Sequence, residues 1–354
     1  MTNSDSSLGG AASLASFVER EHATWQSPIV DTAIFGTSSA RDIAARIDEF
    51  CSERLGSRIA RARFYAVSVG CVAGVELEDG RSVVVKAQHG RRSRDYLEAC
   101  FEIRRHLVRE DFPCPAPLAG PVRMGAAWAT AETLDERGAH GDASRAEDRR
   151  ELASTLARLV ELARPFATHP ALSAAWFTSI PEGRVWPRPH SPLFDFEATA
   201  HGAAWIDEIA AEARSIRHEA AGERVVGHFD WRIEHVRFDE GRIVTSFDWD
   251  SLHAELEPVM VGANMHGFKA DWQRADIVCV PTLDELRAFL ADYETARGRA
   301  FDRSERATLT ASLVYALAYT ARCNHASSTI EEGGNGDFRP LLRAHGRALL
   351  RSGL

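Results

Sequence analysis

The chain reads His228-Phe229-Asp230-Trp231-Arg232-Ile233-Glu234-His235 and then, after a short intervening segment, Phe247-Asp248-Trp249-Asp250. Asp230 and Asp248 lie eighteen positions apart, and each follows a short apolar run. Runs of this kind predict buried strands. Strands joined by tight turns can bring two such carboxylates to one place.

The segment between the two carboxylates has the signature of a hairpin. Residues 236–238 and 242–244 flank Asp239-Glu240-Gly241, which is a turn-forming sequence. Phosphoryl transfer uses one carboxylate to accept the proton of a hydroxyl group and another to hold a divalent metal on the phosphates. A bare His-x-Asp also occurs in surface loops, so the interpretation depends on the whole ordered set of motifs.

The ordered set resembles the aminoglycoside phosphotransferase and choline kinase family. Its motif runs His-x-Asp-x-x-x-x-Asn, followed by two strands that end in Ile-Asp-Trp, and His228, Asp230 and Phe247-Asp248-Trp249 match it. The resemblance implies an α+β, protein kinase-like fold of two lobes. The N-lobe would hold a small antiparallel sheet, and the C-lobe would be mainly helical.

A rare lysine supports the resemblance. Lysine occurs only twice among 42 basic residues, at positions 86 and 269, and Lys86 ends the apolar run 82–85. Asp79-Gly80 predicts a hairpin turn between that strand and residues 74–78. The run resembles the Val-Ala-Ile-Lys strand of kinases, which implies that Lys86 holds the α- and β-phosphates. The alternative is an edge-strand lysine that discourages aggregation.

Two further segments would contact the nucleotide if the resemblance holds. Ser68 and Gly70 stand where kinases have a glycine-rich loop, and they and nearby backbone N–H groups would contact phosphate. A strand with a bulge at Gly70 is the alternative. Residues 128–134 would be the hinge, with the backbone of Glu132 and Leu134 available to adenine.

A helix is predicted from about residue 93 to residue 109 by its apolar spacing. In the kinase-like fold a glutamate of this helix pairs with the strand lysine. Glu98 and Glu102 are the candidates for Lys86, and Glu98 lies nearer the apolar face of the helix. A solvated charge on the helix surface is the alternative for either residue.

The resemblance implies a role for each residue of the central motif. Asp230 would orient and deprotonate the acceptor hydroxyl, His228 would brace the loop, and Asp248 would bind the metal. His235 departs from the family, which has Asn at this position. The Asn side chain offers an oxygen that suits Mg²⁺, whereas imidazole is softer and suits Mn²⁺ or Zn²⁺ better.

Three interpretations of the His235 departure are open. One metal held by Asp248 could be enough, or Asp250 or Glu234 could replace the lost oxygen. The third interpretation is a chain that has decayed into a nucleotide-binding pseudokinase or an interaction protein. We favour retained catalysis, because Lys86 and both aspartates are present.

Composition agrees with two lobes and excludes some classes of protein. A length of 354 residues suggests two domains or lobes. The resemblance implies a helical N-terminal extension (1–57), an N-lobe (58–134) and a C-lobe (135–354). Apolar residues at helical spacing predict helices near 147–163, 205–220, 282–297 and 303–322. A net charge of -9 argues against nucleic-acid binding.

No apolar stretch approaches the length of a membrane span, and no secretory signal is visible. Six scattered cysteines are typical of a reducing cytoplasm. The Arg and Ala bias is associated with bacterial genomes.

The resemblance implies an ATP-dependent enzyme that phosphorylates a hydroxyl of a small molecule with Mg²⁺ or Mn²⁺. An acidic protein suits a cationic acceptor such as an aminoglycoside. Choline-like alcohols, sugars, macrolides and homoserine are also open, because fold analogy does not name a substrate.

Overall fold

The computed structural model describes residues 9–24, 28–68, 70–88, 92–172, 180, 183–191, 194–217, 220–327 and 331–354. The chain divides into two compact units. The first unit comprises Met1–Val108 and Pro115–Glu136, and the second comprises Arg109–Cys114 and Arg137–Leu354.

The first unit begins with three helices and continues into a sheet that is interrupted by one helix. Its elements in chain order are α1 (Gly10–Thr24), α2 (Ile29–Phe35), α3 (Ala40–Leu55), β1 (Ile59–Val67), β2 (Cys71–Leu77), β3 (Ser82–Gln88), α4 (Arg94–Arg109), β4 (Pro117–Met124) and β5 (Ala127–Thr133).

The five strands form an antiparallel sheet in the order β1-β2-β3-β5-β4. The predicted hairpin lies between β2 and β3, and the Gly80 N–H closes its turn on the Leu77 carbonyl at 2.9 Å. The segment predicted to be the hinge is strand β5, which pairs with β3 so that Thr130 lies opposite Lys86. Most of that segment therefore forms sheet hydrogen bonds.

The two faces of the sheet differ in character, because successive strand residues point to opposite sides. Val83, Val85, Ala129 and Ala131 are buried in one apolar core. The same core contains residues of α1, α2 and α3, so the N-terminal helices cover this face. Lys86 and its neighbours at alternate positions belong to the opposite face.

The second unit is mainly helical and holds two small two-stranded sheets, β6 with β9 and β7 with β8. Its elements are α5 (Ala146–Ala163), α6 (Ala204–Arg217), β6 (Arg224–His228), β7 (Val236–Asp239), β8 (Arg242–Ser246), β9 (Leu252–Leu256), α7 (Glu257–Met265), α8 (Leu283–Arg297), α9 (Arg303–Ala326) and α10 (Arg339–Ser352). Single 3₁₀ turns occupy Arg164–Phe166, Ile233–His235 and Trp249–Ser251.

Helix α7 forms the centre of the second unit. All nine of its residues are buried. A Cβ at Gly262 would lie 2.2 Å from the carbonyl oxygen of Leu309, so only glycine allows the close approach of α7 and α9. This central helix lies beside β6, the strand that ends in the predicted catalytic loop.

The fold confirms the predicted class, a five-stranded antiparallel sheet followed by a helical unit. All six cysteines are buried, and none of them forms a disulfide. Among the described residues, no helix combines the length and the apolar composition that crossing a membrane requires.

Candidate functional site

His228 connects the predicted catalytic loop to the predicted metal-binding segment. Its Nδ1 accepts a hydrogen bond from the Asp230 N–H at 3.1 Å, and its Nε2–H donates to the Phe247 carbonyl at 3.1 Å. These two bonds assign the neutral tautomer with the proton on Nε2. Burial lowers the pKa of His228 to about 4, although the charge of Asp248 opposes this shift. The imidazole is therefore an uncharged link at neutral pH.

Two buried tryptophans enclose the His228 ring. Trp231 and Trp249 lie with ring centroids 5.6 Å from that of His228, in edge-to-face geometry. The indole N–H of Trp231 donates to the Leu152 carbonyl, and that of Trp249 donates to the Ser246 carbonyl. Because these indoles are packed and hydrogen-bonded, they fix the loop against α5 and β8.

Asn264 of α7 is a loop-holding residue that the sequence interpretation missed. Its side-chain oxygen accepts the Trp231 N–H at 2.9 Å, and its side-chain nitrogen donates to the His228 carbonyl at 2.7 Å. A buried amide that satisfies backbone groups on both sides of Asp230 restricts the path of the loop. An isolated Asn in the apolar run of α7 is the signal that would have found it.

Three side chains come together beside this loop, and they are three of the predicted site residues. One ligand atom each of Asp230, His235 and Asp248 lies within 4.8 Å of the others. The His235 Nδ1–H donates to the Asp230 carbonyl at 2.9 Å, which leaves the lone pair of the ring on Nε2. Asp250, which was also predicted as a ligand, is not a member of this group.

The backbone of Asp248 has an unusual conformation. Its φ of 63° is in the left-handed region, which non-glycine residues rarely adopt. The Phe247 N–H bonds to the His235 carbonyl just before it, and the Ser251 N–H bonds to the Asp248 carbonyl just after it. Surrounding hydrogen bonds thus hold a conformation that costs about 1 kcal/mol or more, as is common at functional sites.

Arg232 is a second residue that the sequence interpretation missed. Its guanidinium forms ion pairs with Asp230 and, at 2.9 Å, with Glu234. Although burial acts to lower the pKa of Arg232, the carboxylates of Asp230, Glu234 and Asp248 raise it overall. The guanidinium is a fixed positive charge that holds one oxygen of the Asp230 carboxylate. The alternation of charge at 230, 232 and 234 is the sequence signal.

In the first unit, the expected ion pair between Glu98 and Lys86 is wrong. Glu98 pairs with Arg94 one helical turn away, and about half of each side chain is exposed. Lys86 instead pairs with Glu132 of β5, with 2.9 Å between Nζ and Oε1. Glu132 lies on the neighbouring strand, and its side chain reaches the lysine directly.

The remaining predicted nucleotide contacts lie in the first unit. The Ser68 N–H bonds to the Gly70 carbonyl at 2.9 Å, which closes a tight loop between β1 and β2. A Cβ at Gly70 would lie 2.8 Å from the Ala87 carbonyl, so glycine permits the close approach to β3. The Leu134 N–H donates to the Ser82 carbonyl at 3.0 Å, so it is committed to the sheet. Adenine would have to use other backbone groups.

The group of Asp230, His235 and Asp248 fits a divalent cation. Ligand atoms bonded to one metal ion at about 2.0 to 2.6 Å lie within a few ångströms of each other, as these atoms do. Two carboxylates supply hard oxygens, and the ring nitrogen adds a softer donor. The donor set therefore suits Mg²⁺ or Mn²⁺.

Three solved structures illustrate the similarity in fold. An amicoumacin kinase in complex with AMP-PNP, Ca²⁺ and its antibiotic superposes with a TM-score of 0.61 at 13% identity, over 88% of this chain and 95% of that one. Spectinomycin phosphotransferase with ADP and spectinomycin gives a TM-score of 0.51 at 12% identity, over 87% and 93%. Aminoglycoside phosphotransferase APH(4)-Ia with ADP and hygromycin B gives 0.51 at 14% identity, over 87% and 98%.

A search of the curated proteins found no match. The family model described as the phosphotransferase enzyme family matches residues 74–255, which is more than half of the chain. The matched region runs from β2 to β9 and includes Lys86, Asp230 and Asp248. The chain belongs to the phosphotransferase enzyme family.

Proposed function

We propose that this protein is an ATP-dependent phosphotransferase that acts on a hydroxyl of a small molecule. The observation that carries the proposal is the group of Asp230, His235 and Asp248, whose ligand atoms lie within 4.8 Å of one another. In a chain of the phosphotransferase family, that group provides both carboxylates that phosphoryl transfer requires.

In the proposed mechanism, Asp230 orients the acceptor hydroxyl and accepts its proton. Arg232 and the Asp230 N–H bond to His228 fix the position of this carboxylate. About a third of the Asp230 side chain is exposed, so the acceptor can reach it. A base held in one orientation gives up less freedom in the transition state than a mobile one.

Asp248 and His235 are proposed to hold the divalent cation, with Asp230 beside them. Held by these residues, a divalent cation would supply positive charge to neutralise the charge that develops on the phosphates. Backbone hydrogen bonds of Phe247 and Ser251 fix the left-handed backbone of Asp248, from which its carboxylate extends. We propose Mg²⁺ or Mn²⁺, and the imidazole of His235 favours Mn²⁺ relative to an amide oxygen.

Lys86 is proposed to bind the α- and β-phosphates as a compact positive charge. Gly70 lies close to β3, and we propose that the backbone at Gly70 contacts a phosphate oxygen. A nucleotide role for this unit agrees with the solved structures named above, which hold AMP-PNP or ADP.

The acceptor is proposed to be a polyhydroxylated, cationic natural product such as an aminoglycoside. The three similar structures hold amicoumacin, spectinomycin and hygromycin B, respectively. The chain also has a net charge of -9, which favours encounter with a cation. Neutral hydroxyl compounds belong in the same experiment as alternatives.

The test is an ATP-consumption screen over aminoglycosides, choline-like alcohols, sugars, macrolides and homoserine, with Mg²⁺ and with Mn²⁺. We expect acceptor-dependent turnover that Asp230→Asn reduces by about 10² to 10⁴, because this is the usual contribution of a general base. Full turnover by Asp230→Asn would remove Asp230 from the mechanism. A catalytically inactive pseudokinase is the weaker candidate, since the lysine and both aspartates remain. The pseudokinase would be favoured if the protein binds ATP in a thermal-shift titration but phosphorylates none of the acceptors in the screen.

A further inference from the structure

The face of the sheet that carries Lys86 holds three ion-paired charged side chains, of which Glu132 and Arg104 are buried and Lys86 is partly exposed. Glu132 uses one carboxylate oxygen for the Lys86 ammonium at 2.9 Å and the other for the Arg104 guanidinium at 2.7 Å. Glu132 is 3% exposed and Arg104 is 6% exposed. The carboxylate is therefore shared between a strand lysine and an arginine of helix α4.

A buried carboxylate is unfavourable unless positive charges and hydrogen bonds compensate it, so Glu132 needs its two partners. Although burial acts to raise the pKa of Glu132, the charges of Lys86 and Arg104 lower it overall. Arg104 also depends on Glu132, since its remaining contacts are weak: one nitrogen lies 3.4 Å from the Pro115 carbonyl, and its buried Nε lacks a hydrogen-bond partner among the described residues.

The three ion-paired residues also determine the net charge around Lys86. A simple pair of Lys86 with a glutamate is neutral. With Arg104 present, two positive charges share one carboxylate, so the group keeps a net charge of +1. The group can therefore attract an anion while its members remain fixed in position.

We propose that Arg104 is a positioning residue for Lys86 that acts through Glu132, so that helix α4 contributes a cation where the kinase-like arrangement has an anion. This inference rests on the proposed role of Lys86 in binding nucleotide phosphates. Rotation or displacement of α4 would move Arg104, loosen Glu132 and release the lysine.

The experiment measures the affinity of the full chain for AMP-PNP with Mg²⁺ by calorimetry. Arg104→Met should weaken binding about tenfold or more, because a charge-assisted hydrogen bond in a buried site has a value of that order. Arg105→Met is the matched control, since Arg105 is an exposed neighbour on α4 that lies over the Phe101 ring. It should leave the affinity within about twofold of wild type.

A double-mutant cycle separates positioning from a general structural effect. If Arg104 acts only through Glu132, Arg104→Met should have no further effect in the Glu132→Gln background. Equal effects in the two backgrounds would overturn the proposal, as would wild-type affinity in Arg104→Met. If Arg104→Met does not fold, Arg104→Lys takes its place under the same criterion, with a loss of about threefold expected in the wild-type background alone.

Lys86→Met distinguishes the failure of this inference from the failure of the proposed function. If Lys86→Met weakens binding and Arg104→Met does not, the positioning role is wrong and the phosphate role of Lys86 survives. If Lys86→Met binds AMP-PNP like the wild type, both the phosphate role of Lys86 and the positioning role of Arg104 are wrong.

Discussion

Because His228 is buried, we expect the protein to lose stability in mild acid, and we assign this loss to the His228 imidazole. Its pKa is about 4 in the folded protein, against an ordinary value of 6.5, because burial disfavours the charged ring. As pH falls through 6.5, the unfolded chain takes up the proton first, so the free energy of unfolding decreases. The loss begins near pH 6.5 and is complete below pH 4.

The size of the effect follows from the two pKa values. The full shift of 2.5 units corresponds to about 3 kcal/mol, and about 2 kcal/mol of this is lost between about pH 7.5 and pH 5. His228→Asn provides the comparison, because the Asn oxygen can accept the Asp230 N–H as Nδ1 does but cannot titrate. The variant should be less stable at neutral pH, since it loses the bond to the Phe247 carbonyl, and its stability should depend less on pH.

Urea unfolding of both proteins at the two pH values, without nucleotide or metal, measures the difference. Tryptophan emission follows the unfolding, since two of the eight tryptophans, Trp231 and Trp249, pack on His228. The change in unfolding free energy with pH should be about 2 kcal/mol larger in the wild type. An equal pH dependence in the two proteins, or an NMR titration of the His228 ring near 6.5, would refute the reasoning.

Three further predictions follow from the site and its surroundings. Asp248→Ala should abolish metal-dependent binding of AMP-PNP, measured by calorimetry, because it removes a carboxylate of the metal group; unchanged binding would exclude Asp248 as a ligand. His235→Asn should raise turnover with Mg²⁺ relative to Mn²⁺, because it exchanges a nitrogen donor for an oxygen donor; an unchanged ratio would show that His235 does not touch the metal. Lys86→Ala should weaken ATP binding, whereas Lys269→Ala should leave it intact but lower thermal stability, because Lys269 is 4% exposed and its ammonium lies 2.7 Å from Glu285; equal ATP binding in the two variants would contradict this.

Local patterns predicted the fold well. Turn residues between short apolar runs marked the hairpin of β2 and β3 and the hairpin of β7 and β8, and helical spacing marked α4, α5, α8 and α9. These signals are local, since they depend on residues within a few positions of each other. Helix α7 was not predicted, because it is buried on all sides and a fully buried helix shows no amphipathic period.

The ion pairs of Glu132 with Lys86 and Arg104 were harder to predict, because these residues lie far apart in sequence. The apolar face of α4 includes Leu97, Cys100, Phe101 and Leu107, and Arg104 stands in the middle of that face. This position was the available signal, because a charged residue there must be buried and must find a partner. Its partner Glu132 lies on strand β5, and only the tertiary structure shows that α4 and β5 bring the two side chains together.

The geometry around His235 gives a physical reason why a histidine at the position of the family's Asn is compatible with catalysis. An Asn side chain offers one donor group and one oxygen ligand. The His235 ring also offers one of each: Nδ1–H donates to the Asp230 carbonyl at 2.9 Å, and Nε2 keeps a lone pair.

The two functions of the His235 ring can be separated by substitution. Asn keeps a donor and a ligand, Asp keeps a ligand without a donor, and Leu keeps neither. If both functions matter, turnover should be highest for His235→Asn, lower for His235→Asp and lowest for His235→Leu. Wild-type turnover in His235→Leu would instead mean that Asp248 holds the metal without a contribution from His235, as a site with one metal held by Asp248 requires.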